Sequence, residues 1–184
     1  MKKLVYMATL CSVSFFNAQK FEVSAGYGTG SLFGGADSIL KAVGTTIFNG
    51  EPEMPNSNGV LTVALTTYNE NMKWRYGLEA NLESFNETKS SYRKQSYFSI
   101  LPKVDYFWSD ADNKWRFYSG VSVGVLFRDL DYVDPSKNVQ KTNDTFLAFN
   151  IMPIGVRYGG NFGVFIEPSI GTRGFVQGGL NYIF

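Results

Sequence analysis

Between Trp115 and Phe127 the sequence sorts its residues with a period of two. Trp115, Phe117, Ser119, Val121, Val123, Val125 and Phe127 fall on one side, and Arg116, Tyr118, Gly120, Ser122, Gly124 and Leu126 on the other. An extended strand divides residues this way and a helix cannot. The division recurs with Trp74, Tyr76, Leu78, Ala80 and Leu82 against Arg75, Gly77, Glu79, Asn81 and Glu83. It recurs again with Phe21, Val23, Ala25 and Tyr27 against Glu22, Ser24, Gly26 and Gly28. Eight strands are predicted: Lys20–Gly28, Gly59–Tyr68, Lys73–Phe85, Gln95–Trp108, Trp115–Phe127, Thr145–Tyr158, Phe162–Ile170 and Gly174–Phe184. The second and sixth alternate less clearly, and Pro102, Pro153 and Pro168 predict bulges or gaps in the ladder, because proline has no N–H to give.

The connections carry a second signal. Asn69-Glu70-Asn71, Asp110-Ala111-Asp112-Asn113 and Gly159-Gly160-Asn161 are tight-turn sequences. Between them lie the longer stretches Thr29–Asn58, Asn86–Lys94 and Arg128–Asp144, followed by the brief Gly171-Thr172-Arg173. An up-and-down barrel puts alternate connections at opposite ends, so one end is all short turns and the other holds the loop mass. That asymmetry points to an all-β, eight-stranded antiparallel up-and-down transmembrane β-barrel with short periplasmic turns and long outer loops. In the long first loop, Asp37–Val43 reads as a short helix, capped by Asp37 and stopped by Gly44.

The N-terminus reads as an export signal. Lys2 and Lys3 precede an apolar run from Leu4 to Phe16, too short to span a bilayer, which assigns residues 1–18 to a cleaved signal peptide and 19–184 to the barrel domain. Cys11, the one cysteine of the chain, lies in that segment, so the mature protein has no thiol or disulfide. With 17 Lys+Arg against 16 Asp+Glu, the chain shows no basic footprint for nucleic acid. No run of about 18 apolar residues follows, which excludes a helical span.

Periodicity leaves open whether the apolar face meets lipid or a closed core, as in a soluble lipocalin-like barrel. Three features decide for lipid. The polar face of 115–127 is mostly Gly, Ser and Tyr, which suits a crowded interior better than water. Trp74, Trp108, Trp115, Tyr158 and Phe162 stand on the apolar face beside the short turns, as a membrane-interface girdle would. The last strand alternates Val176, Gly178, Leu180, Tyr182 and Phe184 against Phe175, Gln177, Gly179, Asn181 and Ile183, so the final Phe belongs to the apolar set.

The ending Leu180, Tyr182, Phe184 resembles the assembly signal of Gram-negative outer-membrane β-barrels, read by the barrel-assembly machinery. Glu167-Pro168-Ser169-Ile170-Gly171, leading into Gly178-Gly179-Leu180-Asn181-Tyr182-Ile183-Phe184, resembles the final hairpin of the small OmpA/OmpX-type barrel superfamily. The resemblance covers the whole mature chain and implies an outer-membrane location and lipid contacts. It is specific for class and not for activity.

An eight-stranded barrel is just wide enough to be filled by its own side chains. The inferred inward face carries Glu22, Glu79, Glu83, Asp105 and Glu167 against Arg75, Lys103, Arg116 and Arg157, a set that must pair to be buried. It reads as a charge network plugging the lumen, with a gated ion path as the alternative. The chain has no histidine, which removes the usual base of lipid-modifying enzymes and the commonest transition-metal ligand. The turn Asp110, Asp112, Asn113 lacks calcium-loop spacing, and Gly26, Gly28 and Gly30 lack the third glycine of a dinucleotide loop. No catalytic, cofactor-binding or metal residue is therefore expected. Specific function is expected in the outer loops, through apolar Ser31-Leu32-Phe33 and Ile47-Phe48 or charged Asp129, Asp131, Asp134, Lys137 and Lys141. The expected role is envelope integrity or surface interaction, also as an accessory subunit docking a membrane-complex partner. A lipid-modifying enzyme, a narrow channel and a soluble lipid-binding barrel are the alternatives.

Overall fold

The sheet closes on itself, which turns the polar face of its alternating strands inward and leaves the apolar face outward. The computed structural model describes residues 20–36, 56–86, 92–133 and 139–184. Its strands are β1 Lys20–Gly28, β2 Ser57–Tyr68, β3 Trp74–Phe85, β4 Tyr92–Phe107, β5 Trp115–Val133, β6 Val139–Gly159, β7 Phe162–Pro168, β8 Ile170–Gly171 and β9 Val176–Ile183. Successive strands pair antiparallel from β1 to β6, β7 joins β6 to β9, and β9 returns to β1, where Glu22 faces Ile183 and Gly28 faces Gln177. Both β7 and β8 lie along β6, so they are two pieces of one stave parted at Ser169, and the ring has eight staves. The predicted seventh strand Phe162–Ile170 is corrected to this broken one. Pro168 ends β7, and Ser169 turns inward to donate from Oγ to Gly174 O at 2.8 Å.

The other prolines act as their chemistry requires. At Pro153 the register slips by one between the pairs Tyr118/Gly155 and Gly120/Met152. Pro153 and Ile154 consequently both face outward, a β-bulge. Pro102 sits in a gap of the β4–β5 ladder between the pairs Ile100/Val125 and Lys103/Ser122.

Several strand ends differ from expectation, most of all at the outer ends of β5 and β6. The described residues of the predicted loop Arg128–Asp144 are strand, because β5 and β6 run on as a paired ladder with Arg128 opposite Asp144 and Val133 opposite Val139. A turn of helix forms at 32–36; the predicted helix Asp37–Val43 and the signal segment 1–18 lie outside the described residues. The wall is therefore uneven in height. From Trp115 to Phe127 the outward apolar face of β5 rises roughly 30 Å, at about 3.3 Å per residue and a tilt of about 40°. From Phe184 to Val176 the face of β9 rises only roughly 20 Å by the same measure.

Inside, polar and apolar layers alternate along the axis. Tyr68, Met72, Phe107, Tyr118, Met152 and Ile183 close the short-turn end. Phe85, Tyr97, Leu101, Leu126 and Ala148 close the other, with Phe33 of the helical turn against them. Most of the charged side chains lie between these layers, with Arg116 and Arg157 at the short-turn end and Glu83 at the other. Among the described residues no helix is long and apolar enough to cross a membrane.

Candidate functional site

All nine sequence-predicted lumen residues are buried, and a tenth, Arg173, joins them. Five cations (Arg75, Lys103, Arg116, Arg157, Arg173) thereby face five carboxylates (Glu22, Glu79, Glu83, Asp105, Glu167). Arg75 and Arg173 are the hubs. Arg75 donates from Nε to Asp105 Oδ2 at 2.7 Å and from a terminal nitrogen to Glu22, and lies 4.8 Å from the Tyr118 ring centre. Arg173 donates from Nε to Glu79 Oε2 at 2.8 Å and from its terminal nitrogen to Glu167 Oε2 at 2.5 Å. Lys103 bridges them, with Nζ 3.1 Å from Asp105 and 3.9 Å from Glu79. Neutral donors take up remaining lone pairs: Tyr68 OH gives to Glu22 at 2.7 Å, Tyr118 OH to Glu167 at 2.6 Å, and Ser122 Oγ to Glu79 at 3.0 Å.

Two of the ten, Glu83 and Arg116, stand apart from this mesh, and a third, Arg157, touches only its edge. Glu83 meets no cation among the described residues, and its partners are Ser31 N at 3.0 Å and the hydroxyls of Ser31 and Ser57, both at 2.5 Å. It thereby ties the 32–36 turn, whose Gly34 N–H is capped by Ser31 Oγ at 3.0 Å, to the barrel wall. Arg116 donates to Met72 O at 2.5 Å and lies over the Phe107 ring at 4.0 Å, with no carboxylate in ion-pair reach among the described residues. Arg157 reaches Glu22 only at 3.9 Å and spends its other nitrogens on the turn carbonyls of Gly159 at 3.1 Å and Gly160 at 2.5 Å. The predicted network is corrected to that extent: Glu83 and Arg116 are lumen residues outside the mesh, and Arg173 belongs at its centre.

Arg173 escapes sequence reasoning because it sits in a turn between Gly171 and Gly174, at φ of 142° and 89°, and not on a strand face. A side chain at either glycine would strike backbone, its Cβ 2.1 Å from Phe149 O or from Thr29 O. The one available signal was charge: four predicted cations against five carboxylates left a buried charge wanting a partner.

No family model matches this chain, and no curated protein is significantly similar to it. Solved structures are. The N-terminal β-barrel domain of Pseudomonas aeruginosa OprF aligns with a TM-score of 0.51 at 11% identity, covering 91% of this chain and 98% of that one. Neisserial surface protein A aligns at 0.51 and 11%, covering 89% and 93%. Ail of Yersinia pestis, solved with the heparin analogue sucrose octasulfate, aligns at 0.50 and 12%, covering 90% and 98%. All three are small eight-stranded outer-membrane barrels. The chain has the small outer-membrane barrel fold.

On the outside of this outer-membrane-type barrel, Trp74, Trp108, Trp115, Tyr158 and Phe162 are all exposed at the short-turn end. Trp115 contacts Tyr158 with ring centres 4.7 Å apart, and Trp74 contacts Tyr106 at 4.8 Å. Leu180, Tyr182 and Phe184 line one outward face of β9, with the Phe184 N–H giving 2.8 Å to Phe21 O across the seam. In the exposed turn below Trp108, the hydrogen bond from Lys73 holds the Asp110 carboxyl below its usual range, at an Nζ to Oδ1 distance of 2.7 Å. Asp129 and Asp131 stand beyond the apolar belt of β5, opposite Asn143 and Lys141. Among the described residues no group of three or more His, Cys, Asp or Glu could hold a metal ion.

Proposed function

We propose that this chain is a non-enzymatic integral outer-membrane protein with a side-chain-filled lumen, which works through its outer end in envelope integrity or surface interaction. The observation that carries the reading is the pairing of an outward apolar belt with a buried, charge-balanced interior. Water would dissolve neither arrangement so placed, whereas a bilayer accepts the belt and the mesh closes the pore. Partner contact is assigned to the β5–β6 hairpin and the 32–36 turn, because a generic scaffold leaves specificity to its rim.

Fractionation with heat-modifiability on an SDS gel tests the location. A membrane-bound species whose mobility changes on boiling is expected, and a soluble species running identically boiled and unboiled overturns the reading. Planar-bilayer recording tests the plug, for which no steady conductance is expected. Lipid A of a deletion strain should be chemically unchanged, and an altered lipid A would convert the reading to an enzyme.

A further inference from the structure

We propose that the cleft between the 32–36 turn and the tall wall takes one acyl chain from the outer leaflet, admitted sideways over the edge of β6. This rests on the outer-membrane reading above. β6 pairs with β5 along its whole length, up to Val139. On its other side the ladder stops at the pair Asn150/Gly171, and the last bond there is Thr172 N–H to Phe149 O at 3.1 Å. Among the described residues, 139–148 has no strand neighbour on that side.

The opening lies within the belt and not above it. Leu147 stands opposite Val125 in the outward apolar set and is 73% exposed. It also lines a cleft of about 360 Å³ with Phe33, Ala36, Tyr97, Leu126 and Phe146, so belt and cleft form one apolar surface. That volume is at the small end of ligand sites, about 300–1,000 Å³. The charged group lining the cleft, Arg128, is already neutralised. It donates to Asp144 Oδ2 from Nε at 3.1 Å and from a terminal nitrogen at 2.5 Å, and lies 5.3 Å from the Phe146 ring centre. A lining of rings and methyl groups with its one charge satisfied selects an uncharged chain over an anionic headgroup.

The test uses the full mature barrel in nanodiscs containing phosphatidylglycerol with a diazirine at the acyl terminus, with adducts mapped by mass spectrometry after illumination. Adducts on inward-facing Leu126 and Phe146 are expected alongside adducts on the belt residues Val164 and Leu180. Ala36→Trp, which fills the cleft from an exposed position, should lose the inward adducts and keep the belt ones. Belt adducts without inward ones, or inward adducts undiminished in Ala36→Trp, overturn the acyl site and leave the outer-membrane reading standing. Loss of belt adducts in a barrel that still shows heat-modifiability overturns both.

Discussion

Arg173 occupies a turn yet holds Glu79 and Glu167 together, so its removal strands two buried carboxylates at once. Arg173→Met is expected to cost about 3–5 kcal/mol, read as a lower urea midpoint followed by tryptophan fluorescence. Adding Glu79→Gln should recover part of that loss, since one uncompensated charge goes with it. A neutral Arg173→Met would mean that the mesh does not hold the lumen. On the outer face Val123→Arg, a charge at the middle of the belt, should destabilise by about 2–4 kcal/mol in a bilayer. A harmless Val123→Arg would reverse the assignment of faces. At this scale the sequence revealed which way a strand residue points and concealed what it meets. Glu83 was legible as inward because Leu82 and Ser84 beside it face out. Its partner Ser31 lies far away in the chain, in a contact that no local pattern encodes.

Strands were legible wherever one face was apolar, and that condition explains the longest error. Above Phe127 the sequence Arg128-Asp129-Leu130-Asp131 carries charge toward both faces, and 140–144 opposite it is wholly polar. The backbone ladder continues there, while the alternation that announces it has no apolar side to mark. A hairpin beyond the belt should be reached from outside the cell. Asp131→Cys is expected to react with a membrane-impermeant maleimide on intact cells, and Val123→Cys to stay unreacted until the membrane is dissolved. Equal labelling of both would contradict the hairpin's placement. The turn that carries Arg173 is tested through Gly174, held at a φ of 89°. Gly174→Ala should cost about 1–3 kcal/mol from backbone strain alone. The Cβ clash with Thr29 O adds to that, and the urea midpoint reads the sum.

The ring closes where its most distant segments meet: β1 pairs with β9, and inside the lumen Asn181 donates to Glu22 at 2.6 Å across the seam. Such long-range pairing contributes only once the rest is built, so removing the seam should damage assembly more than stability. Deleting Phe184 is expected to reduce the heat-modifiable folded fraction in the membrane more than any change to the outer loops. Efficient insertion of the deletion would contradict the role read for Leu180, Tyr182 and Phe184. The ring itself was legible because turns alternate with longer connections along the chain. The extra height of the β5–β6 hairpin above the belt was not, because it depends on where two polar strands stop pairing; the apolar band itself is uneven too. That unevenness has a mechanical consequence. A band roughly 30 Å tall on one flank and 20 Å on the other stretches the surrounding lipid on one side and thins it on the other. Each ångström of mismatch costs a fraction of a kcal/mol, so the film exerts a torque on the barrel and gives it a preferred lean. Embedded in a bilayer, neighbouring copies with the same slant would lower the total distortion by turning their low flanks together.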